Sequence, residues 1–523
     1  MIEDIRQYDH NLIETDVLIV GSGPAGISLG LQFEGTKHRV IILESGGRSP
    51  KPEYENLNTG KNTGPLFLDL SNSRKRCLGG ASKIWAGECR PLEVEDFQKR
   101  KAVPFSGWPI SKKDLDPYYN DAAKLVGIDP SSLYQEGWDR DFEVAVNFPF
   151  DKKPNSNVKG KLFQRISTDK RDFGVKYEKN LENSKNIRVL LHGTLTDIKL
   201  SSTSEVVSEV EVSSLDNKKR AIRAKKIILA CGALENPRIL LLANKSHKKG
   251  LGNSRGNVGR YFMSHPGFSA IAQIIKQDGR SCPKKAKLHE EKLSMNLEFN
   301  EKIKNNNSLI GHNFVFKNKE KKNLRLARKI KRRLLSGELT FSDVWDSYLN
   351  MPYSSAFRDA ACKIQGKDYF REDWYGGVAI EQIPNPNSRL SLDNDVDSFG
   401  QKKISFHWDK ISDLERESVR KIVRTMGIEL GRLGMGRAKY EENLIDGSVF
   451  EISDSINHQM GTTRMADSPK DGVVDKDCRV FGINNLYIAG GSVFATAGSV
   501  NPTFTIIALS LRLADHLKHT LNV

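Results

Sequence analysis

The feature that most constrains the fold is a glycine-rich turn between two apolar runs near the start of the chain, within residues 14–45. An apolar run, the turn GSGPAG, a helical segment and a second apolar run together form the pattern of a βαβ unit. Gly21 permits the tight turn, Gly23 lets the backbone approach a pyrophosphate, and Gly26 allows close packing of helix and strand. Glu44, at the end of the second run, can accept hydrogen bonds from ribose hydroxyls. The spacing therefore predicts a dinucleotide site at the N-terminus of the helix.

The composition is that of a globular protein. The chain has 523 residues, of which 38% are hydrophobic and 28% charged, which excludes a collagen-like, a mostly disordered or a coiled-coil protein. At roughly 150 residues per domain this length allows two to four domains. The six cysteines are too few for a disulfide scaffold, and none forms a C-x-x-C pair. We therefore expect neither a disulfide framework nor a metal site.

No targeting segment is expected from the sequence. Residues 1–16 are acidic and lack the apolar core of a secretory signal. The most apolar stretch, residues 17–33, is interrupted by glycines and by Pro24, so that strand, turn and helix explain it better than a bilayer span. We expect a soluble protein of a reducing compartment, namely the cytoplasm.

The net charge of +16 indicates anionic partners without identifying one. The strongest basic segment is residues 317–339, in which four apolar residues can share one helical face (Leu324, Ala327, Ile330 and Leu334). We favour a solvated helix on a surface insertion. Contact of residues 317–335 with an anionic membrane surface is a second interpretation. Nucleic acid is not expected as a partner, because aromatic residues do not alternate with the basic ones.

The rest of the chain alternates strand-like and helical patterns. Strands are expected within residues 187–228, 266–310, 375–408 and 485–489, and helices within residues 108–127, 411–435 and 501–518. Ser111 is the expected N-cap of the first of these helices. The strand-like runs of residues 266–310 and 375–408 predict a second sheet outside the nucleotide-binding unit.

Further small-residue blocks favour FAD over NAD as the dinucleotide. They are RCLGGASKIWAG (76–87), IILACGALENPRILLLA (227–243), HQMGTTRM (458–465) and the segment 471–517. Small residues in the first of these blocks would let the backbone lie against an isoalloxazine ring. A dinucleotide site at the start of a chain of this length also favours FAD.

In these blocks and their order, the sequence resembles the glucose–methanol–choline (GMC) oxidoreductases. The resemblance also includes VGRYFMSHP (258–266) and the ending Asn501-Pro502-Thr503, and it is weakest over residues 270–375. It implies an α/β protein, α+β overall, with a Rossmann-like FAD-binding domain and a substrate domain whose mainly antiparallel sheet is covered by helices. The expected FAD-binding domain is discontinuous (14–100, 185–265 and 450–523), and the expected substrate domain comprises residues 101–184 and 266–449.

The resemblance also implies the site residues. His458 corresponds to the family's catalytic base, and Asn501 to the second residue that faces the flavin. A neutral His458 can accept a hydroxyl proton, and Asn501 can donate a hydrogen bond to the developing alkoxide. His265 is interpreted as structural and Cys231 as a small buried residue. The residues expected to contact FAD are Gly21, Gly23, Pro24, Ala25, Gly26, Glu44, Ser45, Arg76, Gly79, Gly80, Ala81, Ser82, Trp85, Leu195, Ala230, Cys231, Gly232, Gly490, Gly491, Asn501, Pro502 and Thr503.

Two positions depart from the family pattern. Ile84 occupies the place at which some members carry a histidine that tethers FAD, so we expect noncovalent FAD. The last glycine loop reads Ala489-Gly490-Gly491 where the family often has an acidic residue, and backbone N–H groups are expected to serve the pyrophosphate there.

The implied activity is oxidation of a CH–OH group to a carbonyl. The motifs GWP…DLDPYY and PNPNSRLSL (384–392) look most like the sugar-oxidising branch, including pyranose oxidases and glucoside 3-dehydrogenases. We therefore expect a sugar or glycoside substrate, with a non-sugar alcohol such as choline or a secondary-metabolite hydroxyl as the alternative. A dehydrogenase is favoured over an oxidase, and the electron acceptor stays open between a separate protein, a quinone and O2. A basic binding protein with a vestigial flavin fold is disfavoured, because His458 and Asn501 are both present.

Overall fold

The computed structural model describes most of the chain. The described residues are 1–8, 10–101, 103–128, 156–275, 287–288, 291–318, 340, 374–434, 436–440, 452 and 454–522. The basic segment 317–339 lies almost wholly outside them, so its expected helix and its membrane contact stay predictions. In the described residues, no helix combines the length and apolar character needed to cross a bilayer.

Over the part of the chain that the structure describes, the first sheet has eight strands and a parallel centre. In spatial order its strands are β1 (Ile2–Asp4), β7 (Ile187–Leu191), β3 (Val40–Leu43), β2 (Leu12–Val20), β10 (Lys219–Leu229), β9 (Val207–Ser213) and β8 (Thr194–Leu200), and β20 (Leu486–Ile488) also pairs with β10. β2 is parallel to β3 and to β10, and β20 is parallel to β10, so these four strands end at one edge of the sheet. β8 and β9 extend the sheet as antiparallel strands.

The βαβ unit forms as the glycine pattern predicts. Helix α1 (Pro24–Leu31) connects β2 to β3, and Pro24 occupies its first turn, where a missing N–H costs nothing. Val17, Leu18 and Ile19 of β2 are fully buried, because helices cover a parallel sheet on both faces. At the C-terminal end of the chain, Phe504 stacks on Tyr119 with ring centroids 5.4 Å apart.

In the described residues the second sheet has nine strands, and the pairings between them are antiparallel. Its strands in spatial order are β18 (Arg437–Tyr440), β11 (Met263–Ile275), β15 (Trp374–Ile380), β14 (His312–Asn318), β13 (Glu291–Phe299), β6 (Val158–Arg165) and β5 (Glu88–Cys89), with β12 (Lys287–Leu288) beside β13 and β19 (Asp454–Met460) beside β11. A third, small sheet joins β16 (Arg389–Val396), β17 (Lys402–His407) and β4 (Gly60–Asn62).

The described helices pack around these sheets. Beyond α1 they are α2 (Pro52–Glu55), α3 (Val94–Phe97), α4 (Asp116–Val126), α5 (Phe173–Lys176), α6 (Glu178–Asn183), α7 (Gly232–Leu242), α8 (Glu301–Asn307), α9 (Asp413–Arg432) and α10 (Thr503–Asn522). α9 packs on β15 and β18 of the antiparallel sheet. The expected α/β fold with a mainly antiparallel second sheet is confirmed.

Three local predictions need correction. The run 375–408 does not build one sheet, because β15 joins the antiparallel sheet while β16 and β17 join the small one. The run 266–310 includes helix α8, which Asn300 caps by accepting a hydrogen bond from the Ile303 N–H. The helix expected from residue 108 begins at Asp116, because Ser111 and Asp114 form a capping box around a separate 3₁₀ turn.

Candidate active site

A cavity of about 430 Å³ lies at the carboxyl edge of the parallel sheet. Val20 and Leu43, the last residues of β2 and β3, and Ala230, which follows β10, all line it. In open α/β sheets ligands bind at this edge, where strand ends and helix N-termini converge. His458 and Asn501 line the same cavity. The glycine turns and the two expected catalytic side chains therefore share one site.

The first glycine turn has the shape of a phosphate cradle. Gly21 has a φ of +106°, and a Cβ on Gly26 would lie 1.9 Å from the Gly21 carbonyl oxygen. In the described structure, no heavy atom lies within 4 Å of the point where a Cβ on Gly23 would be. Gly23 is the N-cap of α1 and provides no side chain to cap its amides. Free amides, a helix N-terminus and open space fit a pyrophosphate.

Gly26→Ala is expected to weaken FAD binding at least 10-fold. The new methyl group would collide with the Gly21 backbone, so the turn must shift away from the cavity. Gly30→Ala in the same helix is the matched control, because the nearest atoms to its methyl group would belong to side chains, Ile42 Cδ1 at 2.7 Å and Ile19 Cδ1 at 3.5 Å, which can move. Titration of the apoproteins with FAD, followed by flavin fluorescence, measures both affinities. Equal affinities for the two variants would contradict the role given to Gly26.

Glu44 ties the turn to the second strand. Its carboxylate accepts hydrogen bonds from the Ser22 hydroxyl at 2.6 Å and from the Gly46 N–H at 2.9 Å, and only 5% of the residue is exposed. It also accepts from the Ser22 N–H at 3.2 Å and from the Ser45 hydroxyl at 3.4 Å, and these four bonds fill about as many acceptor positions as a carboxylate has. Glu44 lines the cavity, and its contact with ribose stays a prediction.

The second glycine loop packs against the first. Gly79 and Gly80 both have positive φ, and a Cβ on Gly80 would lie 3.0 Å from the Gly23 Cα. The Ser82 hydroxyl donates to the Gly79 carbonyl at 2.6 Å and accepts from the Phe173 N–H at 2.9 Å, which fixes the loop. Small residues are therefore required here for contact between two backbone turns.

Two of the residues expected to contact the cofactor do not line the cavity. Gly26 lies behind the first turn, and Gly79 faces Gly174 and Asp172 instead, with the Gly174 nitrogen 2.6 Å from its Cβ position. Both act on the cavity by permitting close packing. The other expected residues do line it, namely Gly21, Gly23, Pro24, Ala25, Glu44, Ser45, Arg76, Gly80, Ala81, Ser82, Trp85, Leu195, Ala230, Cys231, Gly232, Gly490, Gly491, Asn501, Pro502 and Thr503.

A buried cluster of arginines around one glutamate forms a further part of the wall. Glu235 on α7 pairs with Arg74 at 3.1 Å, with Arg76 at 2.8 Å and with Arg238 at 2.8 Å. Although burial opposes ionisation, the three guanidinium groups hold the pKa of Glu235 far below its ordinary value. Of this cluster only Arg76 is expected from the sequence. Among the other members, the i, i+3 spacing of Glu235 and Arg238 is the local pattern that indicates an ion pair.

His458 and Asn501 reach the cavity from different elements. β19 carries His458, whereas Asn501 lies in the loop before α10. Burial lowers the pKa of His458 well below its ordinary value of 6.5, so the imidazole is neutral at physiological pH. The Asn501 amide donates a long hydrogen bond of 3.4 Å to Glu88. In one cavity, a neutral imidazole can accept a proton and an amide N–H can stabilise an oxyanion.

His265 contacts His458 directly. The Nδ1 atoms of the two rings are 2.7 Å apart, and Nε2 of His265 lies 2.8 Å from the Gly498 carbonyl oxygen. The residue is 5% exposed. His265 is expected from the sequence to be structural, and no local pattern predicts this contact, which joins residues 193 positions apart.

The side chains next to the glycine turns bear on how a flavin is held. Ile84 lines the cavity and has no group that could form a covalent bond to it. The Cys231 thiol donates to the Val20 carbonyl at 3.1 Å, and burial raises its pKa, which keeps it protonated. Cys231 is partly buried and lines the cavity, so the expectation of a small buried residue holds only in part.

The fold and the site fit a dinucleotide-dependent oxidoreductase, and comparison with known proteins shows which family the chain is similar to. Residues 384–510 match the family model described as GMC oxidoreductase. The chain is 24% identical to 2-methyl-1,2-propanediol dehydrogenase of Mycolicibacterium austroafricanum, over 96% of this chain and 95% of the relative. It is 27% identical to the fructose dehydrogenase large subunit of Gluconobacter japonicus, over 97% and 98% of the two chains.

A solved structure of a variant of Aspergillus oryzae formate oxidase has the same fold. It superimposes with a TM-score of 0.57 and 18% identity, covering 98% of this chain and 99% of the other. The chain is therefore similar to GMC oxidoreductases over residues 384–510 and to the two dehydrogenases over nearly its whole length, and its cofactor is FAD. It is an enzyme that acts on alcohol or sugar hydroxyl groups.

Proposed function

We propose that the protein oxidises a CH–OH group of a sugar or glycoside to a carbonyl. The observation that carries the proposal is the presence of His458 and Asn501 on the wall of the cavity that the glycine turns form. The sugar preference is supported by full-length similarity to a protein named as a fructose dehydrogenase large subunit. The motifs of the sugar-oxidising branch noted in the sequence support it as well.

The proposed chemistry divides the substrate's two hydrogens. His458 accepts the hydroxyl proton, while Asn501 donates a hydrogen bond to the oxygen as negative charge develops. Bound FAD supplies the acceptor for the hydride that leaves the carbon, so the carbonyl product has lost two electrons and two hydrogens. Both side chains act in their neutral forms, which matches the lowered pKa of His458.

The arrangement of the sheets supports two lobes around this cavity. The parallel sheet takes its strands from residues 2–43, 187–229 and 486–488, and the antiparallel sheet from residues 88–89, 158–165, 263–318, 374–380 and 437–460. We propose that the first forms the FAD-binding lobe and the second the substrate lobe. We further propose that FAD is bound noncovalently, because Ile84 stands where a tethering histidine would be. A cytoplasmic location and the nature of the electron acceptor stay predictions.

The second candidate is oxidation of a non-sugar alcohol. It is favoured by 24% identity, across nearly the whole chain, to a protein named as a dehydrogenase of 2-methyl-1,2-propanediol, a branched diol. The same two side chains would serve either substrate, because the reacting group is the same. The difference lies in what the rest of the cavity binds.

Substrate preference separates the two candidates. We expect kcat/KM to be at least 100-fold higher for the best of a panel of hexoses and glucosides than for 2-methyl-1,2-propanediol or choline. A sugar offers several hydroxyl groups to a polar site, and each well-made hydrogen bond favours it over a smaller alcohol. The measurement is dye-coupled turnover of the holoenzyme across the panel. A diol or choline as the best substrate would contradict the sugar assignment and support the second candidate.

A further inference from the structure

Two histidines meet at the cavity wall, and the proposed chemistry uses only one of them. His265 lies behind His458, with Nδ1 facing Nδ1 at 2.7 Å, and its other nitrogen faces the Gly498 carbonyl at 2.8 Å. Both contacts have hydrogen-bond length, and each needs one proton. Which nitrogen carries each proton follows from whether its hydrogen-bond partner can donate or only accept.

A carbonyl oxygen can only accept a hydrogen bond, so Nε2 of His265 must carry a proton. A neutral His265 then has a lone pair on Nδ1 and can only accept there. The proton between the two rings therefore belongs to Nδ1 of His458. A neutral His458 with a proton on Nδ1 has its lone pair on Nε2, the ring atom on the side away from His265. Burial lowers the pKa of both histidines, which supports two neutral rings.

We propose that His265 is a positioning residue that fixes the tautomer of His458, so that Nε2 of His458 is the proton-accepting atom in the cavity. The inference rests on the proposed function, in which His458 is the base. Within the described residues, Nε2 of His458 has no hydrogen-bond partner, and His458 lines the cavity. After Nε2 takes the substrate proton, the Nδ1–H bond to His265 becomes charge-assisted and stabilises the imidazolium.

The fold positions the residues at both ends of the two hydrogen bonds, His458 at one end and Gly498 at the other. β11 carries His265 and β19 carries His458, and these strands pair antiparallel with an irregularity between Met263 and His265. Gly498 has a φ of +60°, and a Cβ there would lie 2.5 Å from the Leu92 Cδ2 atom. The Gly498 carbonyl is therefore held against packed side chains.

The residue after Gly498 is anchored as well. Lys161 donates to the Ser499 hydroxyl at 2.7 Å, and the Asn313 side chain donates to the Ser499 carbonyl. Both anchoring side chains lie on strands of the antiparallel sheet. The Gly498 carbonyl, which requires a proton on Nε2 of His265, thus belongs to a segment that side chains hold in place.

Two substitutions of His265 separate tautomer control from simple packing. In His265→Asn, the side-chain oxygen stands close to the position of Nδ1 and can still accept from His458, but the donor to Gly498 is lost. In His265→Gln, the terminal amide nitrogen stands close to the position of Nε2 and can still donate to Gly498, but the acceptor for His458 is lost. Each variant thus keeps one of the two bonds.

We expect His265→Asn to reduce bound FAD anaerobically within about 5-fold of the wild-type rate, and His265→Gln about 100 times more slowly. The FAD content should equal that of the wild type in both variants, and the loss should lie in the limiting rate rather than in the substrate concentration at half-saturation. If His265 only anchored the Gly498 segment, His265→Gln would be the more active variant. That order, or equal rates for both, would overturn the inference.

A second measurement does not depend on activity or on the stability of the variants. Nitrogen-15 NMR of the histidine-labelled wild-type holoenzyme, with the His458 signals assigned by their loss in His458→Ala, should show a protonated Nδ1 and an unprotonated Nε2. A protonated Nε2 on His458 would contradict the inference. If His458→Ala reduces FAD at the wild-type rate, the proposed function fails first. If His458→Ala is inactive but Nε2 of His458 carries the proton, or His265→Gln is at least as fast as His265→Asn, only the inference about His265 fails.

Discussion

His458→Ala is expected to reduce bound FAD at least 10³-fold more slowly than the wild type while keeping the cofactor. The substitution removes the base that takes the hydroxyl proton, and positioned general bases contribute typically 10²- to 10⁴-fold. FAD should stay bound because the glycine turns and the Glu44 network lie on other elements. Because burial holds the pKa of His458 well below 6.5, the wild-type rate should change little with pH above that value. Anaerobic stopped-flow absorbance at the flavin band measures each rate.

The control for this variant is His516→Ala on α10. The His516 side chain is 29% exposed and lies next to Asp477 and the Tyr487 ring. It does not line the cavity, so its removal should leave the rate of flavin reduction unchanged. Near-normal reduction by His458→Ala would remove His458 from the reaction. Loss of FAD together with activity would mean that His458 supports the cofactor instead.

Glu235→Gln is expected to lower the free energy of unfolding by about 3–5 kcal/mol. The change keeps the shape of the side chain but removes the charge between the three arginines. The buried guanidinium groups of Arg74 and Arg76 lose their carboxylate, whereas Arg238 keeps Asp397 at 2.6 Å. Burial lowers the pKa of Arg74 to about 10 although Glu235 raises it, so the loss of Glu235 removes a favourable interaction of a buried charge. Urea unfolding of wild type and variant, each with and without FAD, measures the difference.

The control is the exposed pair Lys124 and Asp121 on α4, whose side chains are 69% and 56% exposed. Asp121→Asn should change stability by less than about 1 kcal/mol, because surface pairs contribute little. The pH dependence gives an independent check. Since the folded pKa of Glu235 lies below its ordinary 4.5, its contribution is complete above pH 4.5 and is lost as the pH falls toward the folded value. An equal effect of the two substitutions would contradict the account.

The parts of the fold that local patterns determine could be predicted from the sequence. The turn at Gly21, Gly23 and Gly26 depends on residues within one βαβ unit, and it forms as expected. Ser111 does form a capping box, but on a 3₁₀ turn. The α-helix begins later, at Asp116, because Pro117 is favourable in the first turn of a helix. The division of residues 375–408 between two sheets could not be predicted, because strand pairing depends on segments far away in the chain.

Contacts between distant residues account for the rest of the site. The motifs that resemble GMC oxidoreductases predict His458 and Asn501 as site residues, and both line the cavity in the structure. The contact of His265 with His458 depends on the pairing of β11 with β19, so no local sequence pattern predicts it. The arginines around Glu235 come together in the same way, since Arg74 and Glu235 are 161 positions apart. Gly26 and Gly79 show the opposite case, in which a recognised motif residue acts through packing and not through the cavity surface.

The most direct test of the central claim is the visible spectrum of the purified protein under anaerobic conditions as a sugar is added. We predict flavin absorption bands that bleach in proportion to the sugar oxidised, with one carbonyl product formed per flavin. Replacing the hydrogen on the reacting carbon with deuterium should slow the bleaching, because that C–H bond breaks when the hydride leaves. A protein that shows no flavin bands, and gains none when FAD is added, would contradict the assignment.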